Sequence, residues 1–172
     1  MARPVTPEKP AFFQGYIDLV PENDIFLALE NNLREIKELL PNIHASKAGY
    51  AYAPGKWTVA QSLQHVIDAE RIFAYRALRI ARGDKTPLPG WEENSYAAHA
   101  TASGRTIVDL SEEVYAVRRS TTLLFVSFTD DCWERTGVAN GRDIDVLTIA
   151  FIVVGHMRHH INIFRERYEI QP

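Results

Sequence analysis

Residues 146–164, VLTIAFIVVGHMRHHINIF, constrain the fold more than any other stretch. A helix formed by VLTIAFIVV is apolar on all sides, so it must be enclosed, either as the central helix of a bundle or against a second copy of the chain. Its continuation carries His156, His159 and His160. On a helix His156 and His160 stand one turn and about 40° apart. They share a face with Ile149, Ile152, Val153 and Ile163, and His159 points about 60° to the side. Two neutral imidazoles on an apolar face need partners. Either one of the three histidines is a core residue bonded to a carbonyl and the rest are at the surface, or the pair is part of a metal site.

The remaining pattern is helical. Pro4, Pro7 and Pro10 break up residues 1–20, which read as an irregular lead-in to a single domain over 21–172. Ile25, Leu29, Leu33, Ile36 and Leu40 recur at helical steps until Pro41. A second helix starts at Thr58, with Gln61 at capping-box spacing, and runs to Gly83. The connection that follows, residues 83–106, is too long for a tight antiparallel link and could carry the chain back along the bundle, making helices two and three parallel. It has room for a short helix at WEENSYAAH. A third helix is expected from Asp109 to Phe128, with Glu112 completing a capping box. Asn140-Gly141 signals a small hairpin, and Asp145 caps the fourth helix, which ends near Tyr168. The expected fold is all-α: a four-helix bundle with a long connection between helices two and three.

Composition excludes several functions. Hydrophobic residues make up 46% and charged residues 24% of the 172 residues, ordinary for a globular domain. The net charge of −3 argues against a nucleic-acid partner. The longest apolar run, IAFIVV, falls short of the roughly 20 residues that span a bilayer. No apolar targeting segment opens the chain, and Cys132 is its one cysteine, so a cytoplasmic location is expected. Cys132 has no neighbouring histidine to make it a nucleophile. HExxH, the Glu-x-x-His pairs of di-iron bundles and phosphate-cradling glycine loops are all missing.

A third metal ligand would have to come from His65, His44 or His99. His65 lies two turns into helix two, opposite His156 and His160 if helices two and four are antiparallel neighbours. The most apolar side of helix two (Leu63, Val66, Ile67, Ala74, Leu78) lies more than about 90° from His65. That leaves His65 on a mixed face, suited to lining a pocket at one end of the bundle.

APGKWTVAQSLQHVIDAERIFAYRALRIARGDKTPLPGW, followed by GVANGRDIDVLTIAFIVVGHMRHHINIFRERY, resembles the DinB and YfiT-like superfamily. The likeness runs from about Tyr16 to Tyr168, and its most specific parts are the QxxxHVIDAER helix start and the GHxxHH helix. It implies an up-down-down-up four-helix bundle, often dimeric, here a homodimer. It implies one divalent metal ion per chain, held by His65, His156 and His160, with His159 not a ligand. Zinc or nickel suits such a donor set best, and iron, manganese or copper are compatible.

Three protein ligands leave an open position, where a water or a thiol would be held in its deprotonated form. The first reading is a thiol S-transferase of the bacillithiol, mycothiol or glutathione type, acting on small electrophiles. Arg76, about 20° from His65 on the helix wheel, would then neutralise a carboxylate of the thiol, or else form a plain salt bridge. The second is hydrolysis by metal-held hydroxide, with His159 as proton shuttle. The third is a stress-related metal-binding protein without turnover. Glu70, Asp68 and Glu166 are expected in solvated ion pairs. Trp57, Trp91 and Trp133 are expected to cap bundle ends, with Trp91 also placed to roof a pocket.

Overall fold

The computed structural model describes residues 11–100 and 104–171, with side chains from residue 13 onward. In chain order its elements are α1 (Ala11–Ile17), α2 (Ile25–Leu39), α3 (Val59–Ala81), α4 (Glu93–His99), α5 (Ile107–Val126), α6 (Asp130–Trp133), β1 (Thr136–Ala139), β2 (Arg142–Asp145) and α7 (Val146–Glu166). Helix α1 lies inside the stretch expected to be irregular. Residues 1–10 of that stretch fall outside the described residues.

Each bundle helix begins at a side-chain cap, which supplies acceptors for amides that have no partner in the first turn. Asp24 caps α2 and Asp145 caps α7. Thr58 and Gln61 form the expected capping box at α3. At α5 the box is made by Thr106 with Asp109, not by Asp109 with Glu112, so the helix starts two residues early. The hydroxyl of Thr106 accepts from the Asp109 amide, and the Asp109 carboxylate accepts from the Thr106 amide.

α2, α3, α5 and α7 form the bundle, with α3 between α5 and α7. Gln64 bonds Arg105 near the start of α5, whereas Glu70 and Arg71 reach Arg118 and Glu113 further along it, so α3 and α5 run parallel. α7 runs against α3, bringing its later half to the start of α3. The order is therefore up-down-down-up. One apolar cluster gathers Ile25, Leu29, Phe125 and Phe151. Another, further along α2 and α7, gathers Ile36, Leu39, Val114 and Phe164. Each large side chain buried there stabilises the fold by roughly 1.5–3 kcal/mol. Between the clusters lies a polar layer, in which fully buried Arg118 donates to both carboxylate oxygens of Glu70, at 2.9 Å each, and to Asn32. Glu70 is thus in a buried ion pair rather than the solvated one its sequence position suggested.

α7 is enclosed as its composition requires. Its length and mean hydropathy would suffice to cross a membrane, but 78% of its most apolar window is buried inside the bundle. Two additions flank it. α1 lies across α7 at Gly155, where a Cβ would overlap the carbonyl of Tyr16. The hairpin turns at Asn140 and Gly141, both at positive φ (52° and 72°), as a tight primed turn demands. It also pairs with the α3–α5 connection: Leu88 donates to Val138, and Asn140 donates to Leu88.

Candidate metal centre

Antiparallel packing of α3 on α7 brings His65 to the one-turn pair His156 and His160. Their donor atoms all lie within 4.8 Å of one another, and all three rings are buried. His65 Nε2 stands 3.1 Å from His156 Nε2. The ring of His160 lies 4.9 Å from that of His65 and 4.6 Å from that of His156. Burial drives all three towards the neutral form: His65 falls to about 4, and His156 and His160 well below the usual histidine value. The neighbouring rings, and for His156 the charge of Arg118, add to this. Three neutral imidazoles facing one another at this range form an electron-rich nest. His160 Nδ1 is moreover buried without a hydrogen-bond partner among the described residues, an arrangement that costs free energy when left uncompensated. A borderline divalent ion fits this donor set.

The other candidate histidines are elsewhere. His44 caps a short 3-10 turn and bonds Ser46. His99 ends α4 and bonds the carbonyl of Ser95. His159 is exposed beside the cluster, its ring edge-on to those of Tyr16 and His160.

Two residues at the centre carried no signal in the sequence. Glu93, the first residue of α4, holds a carboxylate oxygen 3.9 Å from His65 Nε2. Burial, then the charge of Glu92, raises its pKa. The carboxylate that a proton shuttle calls for is therefore present, and His159 is not the sole candidate. Tyr16 of α1 sets its ring against both His156 and His159. Its hydroxyl is pushed up to about 12 by burial and then by Glu93, so it stays protonated. Neither residue lies in a periodic segment: one follows a loop and the other sits among prolines.

His65, Tyr16 and Glu93 form a partition between two clefts. The larger, about 260 Å³, has exposed Lys56 and Asn94 and buried Ser62 in its lining beside Tyr52 and Tyr168, and Trp57 lies 4.6 Å from the His65 ring. The smaller, about 120 Å³, is walled by Phe13, Phe73 and Trp91. There Arg76 neither forms an ion pair among the described residues nor points out to solvent. It donates to the carbonyl of Pro89 and lies 4.9 Å over the Trp91 ring. Trp91 therefore roofs a pocket, whereas Trp133 is a core residue among Phe26, Phe125 and Phe128. Cys132 is buried beside Thr129, away from both clefts.

The comparisons agree with this architecture. A family profile described as the DinB superfamily matches residues 28–164. The fold is similar to that of YfiT from Bacillus subtilis, described as a probable metal-dependent hydrolase with an unusual four-helix bundle topology. The TM-score is 0.72 at 16% identity, over 99% of this chain and 95% of that one. It is also similar to a mycothiol-dependent maleylpyruvate isomerase, with a TM-score of 0.63 at 14% identity, over 87% of this chain and 59% of that one. No curated protein sequence matches the chain. With the profile spanning all four bundle helices, the chain belongs to the DinB superfamily.

Proposed function

We propose that the protein is a metal-dependent thiol S-transferase: His65, His156 and His160 hold one divalent ion, zinc or nickel, and a small polar thiol is joined to an electrophile beside it. The observation that carries this reading is the pair of clefts meeting at His65, the larger with exposed Lys56 and Asn94 in its lining and the smaller walled by Phe13, Phe73 and Trp91. Two clefts that meet at one point give two organic substrates separate approaches to it. When bound, the ion lowers the pKa of a thiol that it holds. The larger cleft, with Lys56 and Asn94 in its lining, receives a thiol of the bacillithiol, mycothiol or glutathione type. Glu93, raised by burial, takes the thiol proton. The sulfur bonds to the electrophilic carbon, the leaving group departs with the bonding pair, and the proton passes to it or to water.

The test is consumption of 1-chloro-2,4-dinitrobenzene by the zinc- or nickel-loaded protein with each of the three thiols. Loss faster than with thiol alone, abolished by His156→Ala, is the expected result. No acceleration with any thiol would reject the reading.

Glu93 also favours a second reading, hydrolysis, because a carboxylate 3.9 Å from His65 can accept a proton from water. Thiol-independent cleavage of 4-nitrophenyl acetate, lost in Glu93→Gln, would identify it. Metal retained with neither activity would leave a binding protein.

A further inference from the structure

The smaller cleft has a polarity of its own. His65, Phe73 and Arg76 all come from α3, and Arg76 is eleven residues beyond His65, about 16 Å along the helix axis. His65, His156 and Glu93 therefore mark one end of the cleft and Arg76 the other. Between them Phe73 is edge-on to both Trp91 and His156, each 5.7 Å away, which makes an apolar floor connecting the two ends. Arg142, from β2, joins Arg76 in the lining, its guanidinium 5.7 Å over the Phe13 ring. Neither arginine has an ion pair among the described residues, and Arg76 spends one Nη2 N–H on the carbonyl of Pro89. Two guanidinium groups beside aromatic walls attract an anion, because low-dielectric surroundings strengthen the field and the planar fork matches a carboxylate. The volume of about 120 Å³ approaches that of cavities that hold one benzene ring, about 150 Å³.

We infer that this cleft binds a small flat carboxylate, aromatic or conjugated, with the carboxylate at Arg76 and Arg142 and its apolar part over Phe73, directed towards His65 and His156. As the identity of the electrophilic substrate this rests on the transferase reading; as a binding site it stands apart from it. The hairpin and the Leu88–Trp91 segment then have a role in recognition: β2 brings Arg142 to the cleft, and the backbone of Pro89 orients Arg76.

The test is calorimetric titration of benzoate, with benzamide as its uncharged counterpart, into the full chain, both zinc-loaded and after chelation. Benzoate is expected to bind at least tenfold more tightly than benzamide in both forms. Arg142→Gln, at an exposed hairpin position, is expected to weaken benzoate at least fivefold and to leave benzamide within twofold. Arg76→Gln should do the same. Equal affinity for benzoate and benzamide would overturn the inference. So would benzoate binding that disappears on chelation and ignores Arg142→Gln, since the carboxylate would then be sitting on the metal. Arginine-dependent benzoate binding without any thiol turnover would retain the site and reject the transferase.

Discussion

Gly155 of α7 and Tyr16 of α1 meet so closely that a Cβ on the glycine would overlap the tyrosine carbonyl. The missing side chain is what lets α1 lie on α7 and carry the Tyr16 ring to His156 and His159. Gly155→Ala should therefore push α1 off α7 at a cost of about 1–3 kcal/mol, the usual range for overpacking. A lowered thermal midpoint with helical content largely kept, and faster proteolysis within α1, would confirm it. An unchanged midpoint would show that α1 has another seat.

Metal loading should be visible in stability. A ligand that binds only the folded state at a thousand times its Kd stabilises by about 4 kcal/mol. Zinc should raise the denaturation midpoint of the untagged protein, with about one ion retained per chain. His65→Ala and His156→Ala, on different helices, should each abolish both effects. A zinc-induced rise that survives in both variants would place the ion elsewhere.

The Arg118–Glu70 pair is fully enclosed, so removing one partner strands the other. Arg118→Met should destabilise by about 3–5 kcal/mol. The double variant Arg118→Met, Glu70→Leu should recover much of that loss, because no buried charge remains. Urea unfolding of the three proteins tests this, and equal losses for single and double variants would contradict it.

Glu22 provides the pH dependence. Its carboxylate accepts from Arg158, and secondarily from Asn31, which lowers its pKa from an ordinary 4.5 to about 2 despite partial burial. A depressed folded-state pKa contributes stability that is complete above the unfolded value. That contribution is lost as pH falls from about 4.5 to about 2. Glu22→Gln should therefore be less stable than the parent at pH 6, and the gap should close towards pH 2.5. Urea midpoints across that range would show it, and a constant gap would remove Glu22 as the cause.

For Glu93 the prediction is kinetic. Glu93→Gln should lower kcat of the proposed transfer about a hundredfold, the lower range for a positioned general base. Zinc content should stay at the parent level, because the three histidines are untouched. Loss of zinc in this variant would make Glu93 a ligand instead.

Much of the architecture could be read along the chain, because it is written in local signals. The Thr58–Gln61 box, the Asn140-Gly141 turn and the 3.6-residue spacing of α2 each depend on neighbours a few residues away. The length of the 83–106 connection left room for α3 and α5 to run parallel, and they do. For the start of α5, sequence spacing pointed to Asp109 with Glu112, and the structure corrects this to Thr106 with Asp109. Thr106 prevailed because its hydroxyl and the Asp109 carboxylate satisfy each other's amides.

The sequence by itself determined the four bundle helices, the caps at Thr58 and Asp145, the enclosed position of α7 and the one-turn spacing of His156 and His160. Only the tertiary structure decided what faces them. His65 lies on the mixed side of α3, and it reaches the pair because α7 packs antiparallel to that side rather than to the most apolar one. Glu70 is buried because Arg118, which shares its level in the parallel helix α5, neutralises it. Glu93, Tyr16, Arg76 and Arg142 come together from a loop helix, a proline-flanked segment, a bundle helix and a hairpin. No periodicity links such residues, since a site between elements is made by their packing and leaves no repeat in any one of them.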